Sequence, residues 1–485
     1  MAKGNGPCVK CWLAFAAVAV VILAVTGVWN PFPKMWQWAS SSRALSDPKP
    51  AWQQQMGGTP TTATIAGDAV VVEERTVVEA RSRATGVQLW QRKADWAAVA
   101  GDGPDAVVLV GKLLTRGYDV LDPTSGTVRR KDTSAQAVWA YRNALLDARC
   151  SSSTDCTLTA WDPRGSTALW STFIPGVSTG LTADSPRGLN PRPIDARQVD
   201  DDAAGPQLMP PLLGLPVDGK VVVVDTAIGR VVQNTKPAQE DRVVVVGGRV
   251  VRVQARSADG TCYFTVTATD PANGQEVWRR TGLNLRTADG AGCAQRENPQ
   301  GGQNVLVGVG ADGRELVLDA YDGRQLWTGA AGEKLLAVDD RYAVARAGDQ
   351  KSVNSHELAF GGLRWTRSVD AKAAVALTPY AAVVIDNEPD RIIAVDPRTG
   401  RELVNVHSTA KVLAVGPAGM VIGDGRDIGY LPFGTIQGAP GPAPGRPVGS
   451  PTGDGNGDGV PATPAPTCGG PKNEVCPPPA DGAAG

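Results

Sequence analysis

Residues 268–278 read Ala268-Thr-Asp-Pro-Ala-Asn-Gly-Gln-Glu-Val-Trp278, and residues 319–327, Asp319-Ala-Tyr-Asp-Gly-Arg-Gln-Leu-Trp327, share the same plan. An aspartate stands four residues before a glycine (Asp270 and Gly274, Asp319 and Gly323), and a tryptophan stands four residues after it (Trp278, Trp327). A carboxylate at that position can accept backbone N–H groups and close an Asx-type turn. Glycine supplies the positive φ of a tight hairpin. Apolar runs arrive and depart on either side, so each stretch reads as strand, turn, strand.

The same plan recurs along the chain. Aligned on the turn glycine, eight segments end at Trp90, Arg130, Trp170, Val232, Trp278, Trp327, Trp365 and Val404. Their glycines are Gly86, Gly126, Gly165, Gly229, Gly274, Gly323, Gly362 and Gly400, mostly 38 to 49 residues apart. The exception is the step from Gly165 to Gly229, which contains an insertion. The aspartate recurs at Asp122, Asp225 and Asp396. A unit of this length holds four short strands, the content of one propeller blade. Adjacent residues on a strand face opposite sides of the sheet. A neighbouring Leu-Trp pair such as Leu89-Trp90 therefore predicts a sheet covered on both faces, as blades are.

After Val404 come three more strand-like runs, Lys411 to Val415, Met420 to Gly423 and Ile428 to Phe433. The stretch Ala51 to Gln55 around Trp52 can supply their missing outer strand and so close the ring. This arithmetic gives eight or nine sheets. The fourth segment is weak, so the expectation is an all-β propeller of eight four-stranded blades, with seven the runner-up.

An aspartate, a Thr-Gly or similar turn and a following tryptophan resemble the tryptophan-docking repeat of the pyrroloquinoline quinone (PQQ) propeller family. The resemblance covers residues about 50 to 434. It departs from the pattern where Arg130, Gln233 and Val404 stand in place of the tryptophan. One branch of that family contains quinoprotein dehydrogenases, which the resemblance implies would carry a calcium-assisted cofactor site over the propeller axis. Many members also have a disulfide between adjacent cysteines. No two cysteines are adjacent here, and no CxxCH haem motif occurs. The other branch contains non-enzymatic propellers that bind proteins, such as the barrel-assembly lipoprotein of outer membranes. The expectation is this second kind: no catalytic residues, no metal and no cofactor, with a PQQ-dependent oxidoreductase as the alternative.

Composition agrees. The net charge is −1, which offers no field for nucleic acid. The two histidines, His356 and His407, are a poor stock for imidazole chemistry, and neither lies in a nucleophile or ligand motif.

Trp12 to Trp29 carry no charge over 18 residues, close to the ~20 needed to span a bilayer as a helix. Lys3 and Lys10 precede them, so the N-terminus is expected to stay cytoplasmic. Trp29, Phe32, Trp36 and Trp38 suit the membrane boundary. A cleaved signal peptide is the competing reading, and either one exports the rest of the chain. Six cysteines beyond this segment fit an oxidising compartment. Fifteen pairings are possible, and sequence proximity favours Cys150 with Cys156, Cys262 with Cys293, and Cys468 with Cys476. Cys8 and Cys11 form a lone CxxC that lacks partners for a metal site.

The expected layout is a tail over 1–11, a transmembrane helix over 12–29, a linker over 30–49, the propeller over 50–434 and a Pro/Gly-rich disordered tail over 435–485. Within that tail Asp454, Asn456, Asp458 and Gly459 mimic a calcium loop, but Ala465 replaces the needed glutamate. The insertion, 181–215, includes the acidic run Asp200 to Asp202 and reads as a long loop on the propeller rim. Together these features predict a monomeric, membrane-tethered, extracytoplasmic module with a protein partner in the cell envelope.

Overall fold

Valine-rich runs decide the strands, and the strands form nine sheets, eight of them built on an antiparallel meander in sequence order and the ninth closed by a strand from the other end of the chain. The computed structural model describes residues 43–152, 155–177, 198–238, 241–290 and 292–436. Blade one contains Thr62–Ala66, Ala69–Glu73, Val78–Ser82 and Gln88–Arg92. Blade two contains Trp96–Ala100, Val107–Gly111, Tyr118–Leu121 and Val128–Asp132. Blade three contains Ala137–Ala140, Leu145–Cys150, Asp155–Trp161 and Ala168–Pro175. Blade four has three strands, Leu212–Val217, Lys220–Asp225 and Arg230–Thr235.

Blade five contains Arg242–Val246, Arg249–Ala258, Thr261–Thr269 and Glu276–Thr281. Blade six has three strands, Val305–Val309, Glu315–Asp319 and Gln325–Thr328. Blade seven contains Lys334–Val338, Tyr342–Arg346, Ser352–Glu357 and Gly362–Ser368. Blade eight contains Ala374–Leu377, Ala382–Asn387, Asp390–Val395 and Glu402–His407, with Thr435–Ile436 added in parallel at its edge. Blade nine takes Lys411–Gly416, Gly419–Asp424 and Asp427–Pro432 from the C-terminal end and Trp52–Gln55 from the N-terminal end.

The propeller therefore has nine blades, not eight. The fourth segment looks weak in sequence because Gln233 stands in place of its tryptophan. Strand formation there depends instead on Val221 to Val224, which pair on both sides.

The turn chemistry repeats from blade to blade. Asp122, Asp225, Asp270, Asp319 and Asp396 each accept a backbone N–H two residues on, at 2.8–3.1 Å. Six of the eight aligned glycines have φ between 66° and 73°. Gly165 and Gly362 do not; in blade seven the left-handed residue is Gly361. A register shift interrupts the pairing of the last two strands in each of the first eight blades, beside the residue that faces the tryptophan position. The residue opposite is small at Ala80, Ala160, Ala268 and Ser355, which leaves room for the indole.

Five indoles leave their own blade and dock on the next. Trp52, Trp90, Trp170, Trp278 and Trp365 donate Nε1–H to the carbonyls of Arg83, Pro123, Thr226, Ala320 and Pro397, at 2.6–3.0 Å. Each acceptor lies three residues before a turn glycine. A Cβ on Gly86, Gly126, Gly229, Gly323 or Gly400 would lie 2.6–2.7 Å from the docked ring. The glycines thus serve φ and close approach together.

The Leu-Trp inference fails in detail. Leu89, Leu169 and Val277 are 40%, 56% and 43% exposed, while Trp170 and Trp278 beside them are buried. The outermost strands of blades one, three and five have only one covered face. The inner strands, dense in valine and alanine, bury both.

Two disulfides lie among the described residues. Cys150 and Cys156 face each other across the second and third strands of blade three. Cys262–Cys293 ties the long hairpin of blade five to the link before blade six. Cys468, Cys476, Cys8, Cys11, the Trp12 to Trp29 segment and the tail beyond Ile436 lie outside the described residues. Among the described residues no helix is long and apolar enough to cross a membrane.

Candidate functional site at the funnel mouth

Blade four lacks a first strand because the chain that would form it goes elsewhere. Residues 198–203 run parallel to the inner strand of blade nine instead. Val412 N donates to Gln198 O at 2.8 Å, Asp200 N to Val412 O at 2.8 Å, and Val415 N to Ala203 O at 2.7 Å. Val199 and Ala203 are buried with the aliphatic residues of blades eight and nine. Asp200 pairs with Lys411 at 2.7 Å.

The segment then crosses the mouth. Arg142 N, in a hairpin turn of blade three, donates to Gln207 O at 2.7 Å, and Met209 N donates to Asn143 Oδ1 at 2.8 Å. Gln303, just ahead of the first strand of blade six, donates its side-chain amide to Leu208 O. Blades nine, three and six are spaced by thirds around a ring of nine, so the segment is a three-point brace across the axis. The sequence reads this insertion as a loop on the rim. Its described part, 198–211, instead fills the funnel, because its backbone groups find partners on inner strands and hairpin turns that water would otherwise satisfy.

Beside the brace lies a depression of about 480 Å³, lined by hairpin turns and by Gly205 and Pro206 of the segment itself. Tyr380 of blade eight donates its hydroxyl to Asp102 Oδ1 of blade two at 3.3 Å. Arg142 approaches the same carboxylate at 3.6 Å and stands 5.8 Å from the Tyr380 ring centroid. Burial holds the Tyr380 hydroxyl above its usual range, with Arg142 opposing. Close by, Arg83 pairs with Asp68 at 2.6 Å and Arg164 with Asp105 at 3.7 Å. Cations and carboxylates are balanced here. They can hydrogen-bond peptide groups and side chains of either sign, and none pairs a nucleophile with a base.

Of the sequence-derived residues Asp122 lines this depression, and others stand apart from it. His356 packs on Trp327, with centroids 5.7 Å apart, and meets Glu333 at 3.4 Å. His407 bonds the backbone of Asp47. Trp327 is buried with Val338, Ala343 and Ala345 of blade seven, and a Cβ on Gly362 would meet nothing. Gly274 is equally open. Among the described residues no group of three or more His, Cys, Asp or Glu could hold a metal. Asp102, Arg142 and Tyr380 belong to no motif. The available signal was the long step from Gly165 to Gly229.

Residues 263–412 match the model of the family described as the outer membrane protein assembly factor BamB. None of the curated proteins compared matches the chain. Similar solved structures include BamB from Moraxella catarrhalis, 15% identical over 74% of this chain and 98% of that one, with a TM-score of 0.34. The quinohemoprotein alcohol dehydrogenase ADHIIG from Pseudomonas putida HK5 is 11% identical over 84% and 80%, with a TM-score of 0.36. Apo AztD from Citrobacter koseri is 10% identical over 71% and 95%, with a TM-score of 0.34.

Proposed function

We infer that this chain, a nine-bladed propeller of PQQ-type repeats, is a non-catalytic docking scaffold tethered outside a cell membrane, and that a partner protein binds at its funnel mouth. The observation that carries this reading is the brace formed by residues 198–209. The PQQ enzymes hold their cofactor over the propeller axis. In this chain the axis is taken up by its own backbone, fixed to three separate blades. That segment leaves less room over the axis for a cofactor held in this way.

Other features lend support. The mixed-charge, shallow mouth resembles the polar rim of a protein interface more than an enclosed substrate pocket. The Cys262–Cys293 disulfide favours an oxidising compartment. The uncharged stretch from Trp12 to Trp29 supplies a tether, and the family description is in keeping with work in the cell envelope.

The test is site-specific photocrosslinking in cells that express the full chain. A crosslinker at Arg164, at the mouth, is expected to give one discrete protein adduct. The same group at Gln91, on an outer strand, is expected to give none. Adducts from Gln91 alone would sink the docking reading, and so would dye-linked dehydrogenase activity from the purified chain given PQQ and calcium.

A further inference from the structure

In each meander the turn between the second and third strands and the link to the next blade lie on one face, opposite the funnel mouth. Near its start the described chain touches that link face. Asp47 and His407 exchange backbone hydrogen bonds of 2.9 and 2.8 Å at the end of the outer strand of blade eight. Ser408, in the following link, donates its hydroxyl to Leu45 O at 2.6 Å.

The same face carries the turn Lys112-Leu113-Leu114-Thr115-Arg116 of blade two. Leu113 is 66% exposed and Leu114 is entirely so. Leu114 has φ +62°, a left-handed conformation that glycine or asparagine adopts at less cost. Nothing in the fold uses either side chain. Cations surround them. Under the turn lies a depression of about 330 Å³, lined by five cations and two carboxylates, Lys93 and Lys131 among the cations. Among the described residues Lys93, Lys112 and Arg116 form no ion pair. A chain of net charge −1 thus gathers positive charge around two unshielded leucines.

We propose that this turn is a membrane-contact loop, whose leucines enter the interface of the bilayer while the surrounding cations meet anionic phospholipid headgroups. Aliphatic side chains flanked by lysine and arginine suit that boundary. The contact holds the link face against the bilayer and turns the funnel mouth away from it. The orientation rests on the tether proposed above; the loop's own affinity for lipid does not.

The experiment is hydrogen exchange on the full chain in nanodiscs, of phosphatidylglycerol with phosphatidylcholine or of phosphatidylcholine alone. Amides of residues 112–116 are expected to exchange at least about five-fold more slowly on the anionic discs, the factor that one basic residue near such a surface contributes. Leu113→Ser with Leu114→Ser, and separately Lys112→Glu with Arg116→Glu, are expected to abolish that difference without altering exchange elsewhere. Equal exchange on both discs overturns the proposal while leaving the tether intact. Protection that appears only when an acidic protein is added also overturns it. If the discs do not retain the chain, the tether fails and vesicle flotation decides: anionic-selective, salt-sensitive flotation lost in both variants upholds the loop, and no flotation refutes it.

Discussion

Blades one and two meet through an indole, whereas blades two and three meet through a guanidinium. At the first junction Trp90 reaches Pro123 O and covers Gly126. At the second, Arg130 occupies the tryptophan's place, donates to the Tyr118 hydroxyl at 3.0 Å and lies 4.2 Å from the Trp161 ring. The pattern extends around the ring. Docked indoles join blade nine to one, one to two, three to four, five to six and seven to eight. At the other four junctions no such hydrogen bond from an indole occurs among the described residues, although Trp327 packs on His356 of blade seven and Trp161 on Arg130 of blade two. The propeller is thus four indole-clamped groups joined by four seams that are packed without that hydrogen bond. The brace over the axis ties blades nine, three and six, which belong to three of those groups. The insertion adds a further tie from the centre.

The largest expected effect tests whether docking is what clamps. Trp90→Ala removes a half-buried ring and its hydrogen bond and is expected to cost about 2–4 kcal/mol. Gln233→Ala, at the equivalent position of an undocked junction, is expected to change stability by less than about 0.5 kcal/mol. Denaturant midpoints of the full chain measure both. Equal costs would break the distinction between clamp and seam.

A sharper contrast holds backbone conformation constant. Gly126 and Gly274 have φ of 66° and 69°. An alanine Cβ at 126 would sit 2.7 Å from Trp90 Cγ, while at 274 nothing lies within 4 Å. Gly274→Ala is expected to cost about 1–2 kcal/mol for the left-handed conformation alone. Gly126→Ala adds overpacking and is expected to cost about 2–4 kcal/mol. If the two substitutions cost the same, close approach of the indole is not what requires glycine.

These contrasts also mark what the sequence made legible. The aspartate, glycine and tryptophan spacing reveals the repeat because local turn chemistry needs those residue types. It undercounts the blades because the tryptophan reports a junction and not a sheet. Val221 to Val224 form a blade without one. The funnel mouth was hidden for a different reason. Asp102, Arg142 and Tyr380 come together only after the ring closes, and each is an ordinary turn residue in its own repeat. The brace was visible only as excess length, since nothing in the composition of residues 198–209 says that their backbone partners lie on three distant blades.

The smallest predicted effect probes the seam itself. Asp147 is fully buried between blades two and three. It accepts from the Tyr118 hydroxyl at 2.9 Å and Trp161 Nε1 at 2.8 Å, with Arg149 at 3.3 Å. Its Oδ1 finds no partner. Burial lifts its carboxyl above the ordinary value of 3.8, against the opposing pull of Arg149 and the two hydrogen bonds. The folded chain therefore holds this proton to higher pH than the unfolded chain does. Across that window the folded state binds more protons, so the carboxyl's contribution to stability falls as pH rises. Asp147→Asn keeps the shape and cannot titrate. The stability of the parent chain minus that of the variant, from denaturation at successive pH values, is expected to decline from about pH 4 upward and then level off. A difference that rises with pH would mean that the arginines dominate, and that the seam is held by an ion pair rather than by a carboxyl kept from water.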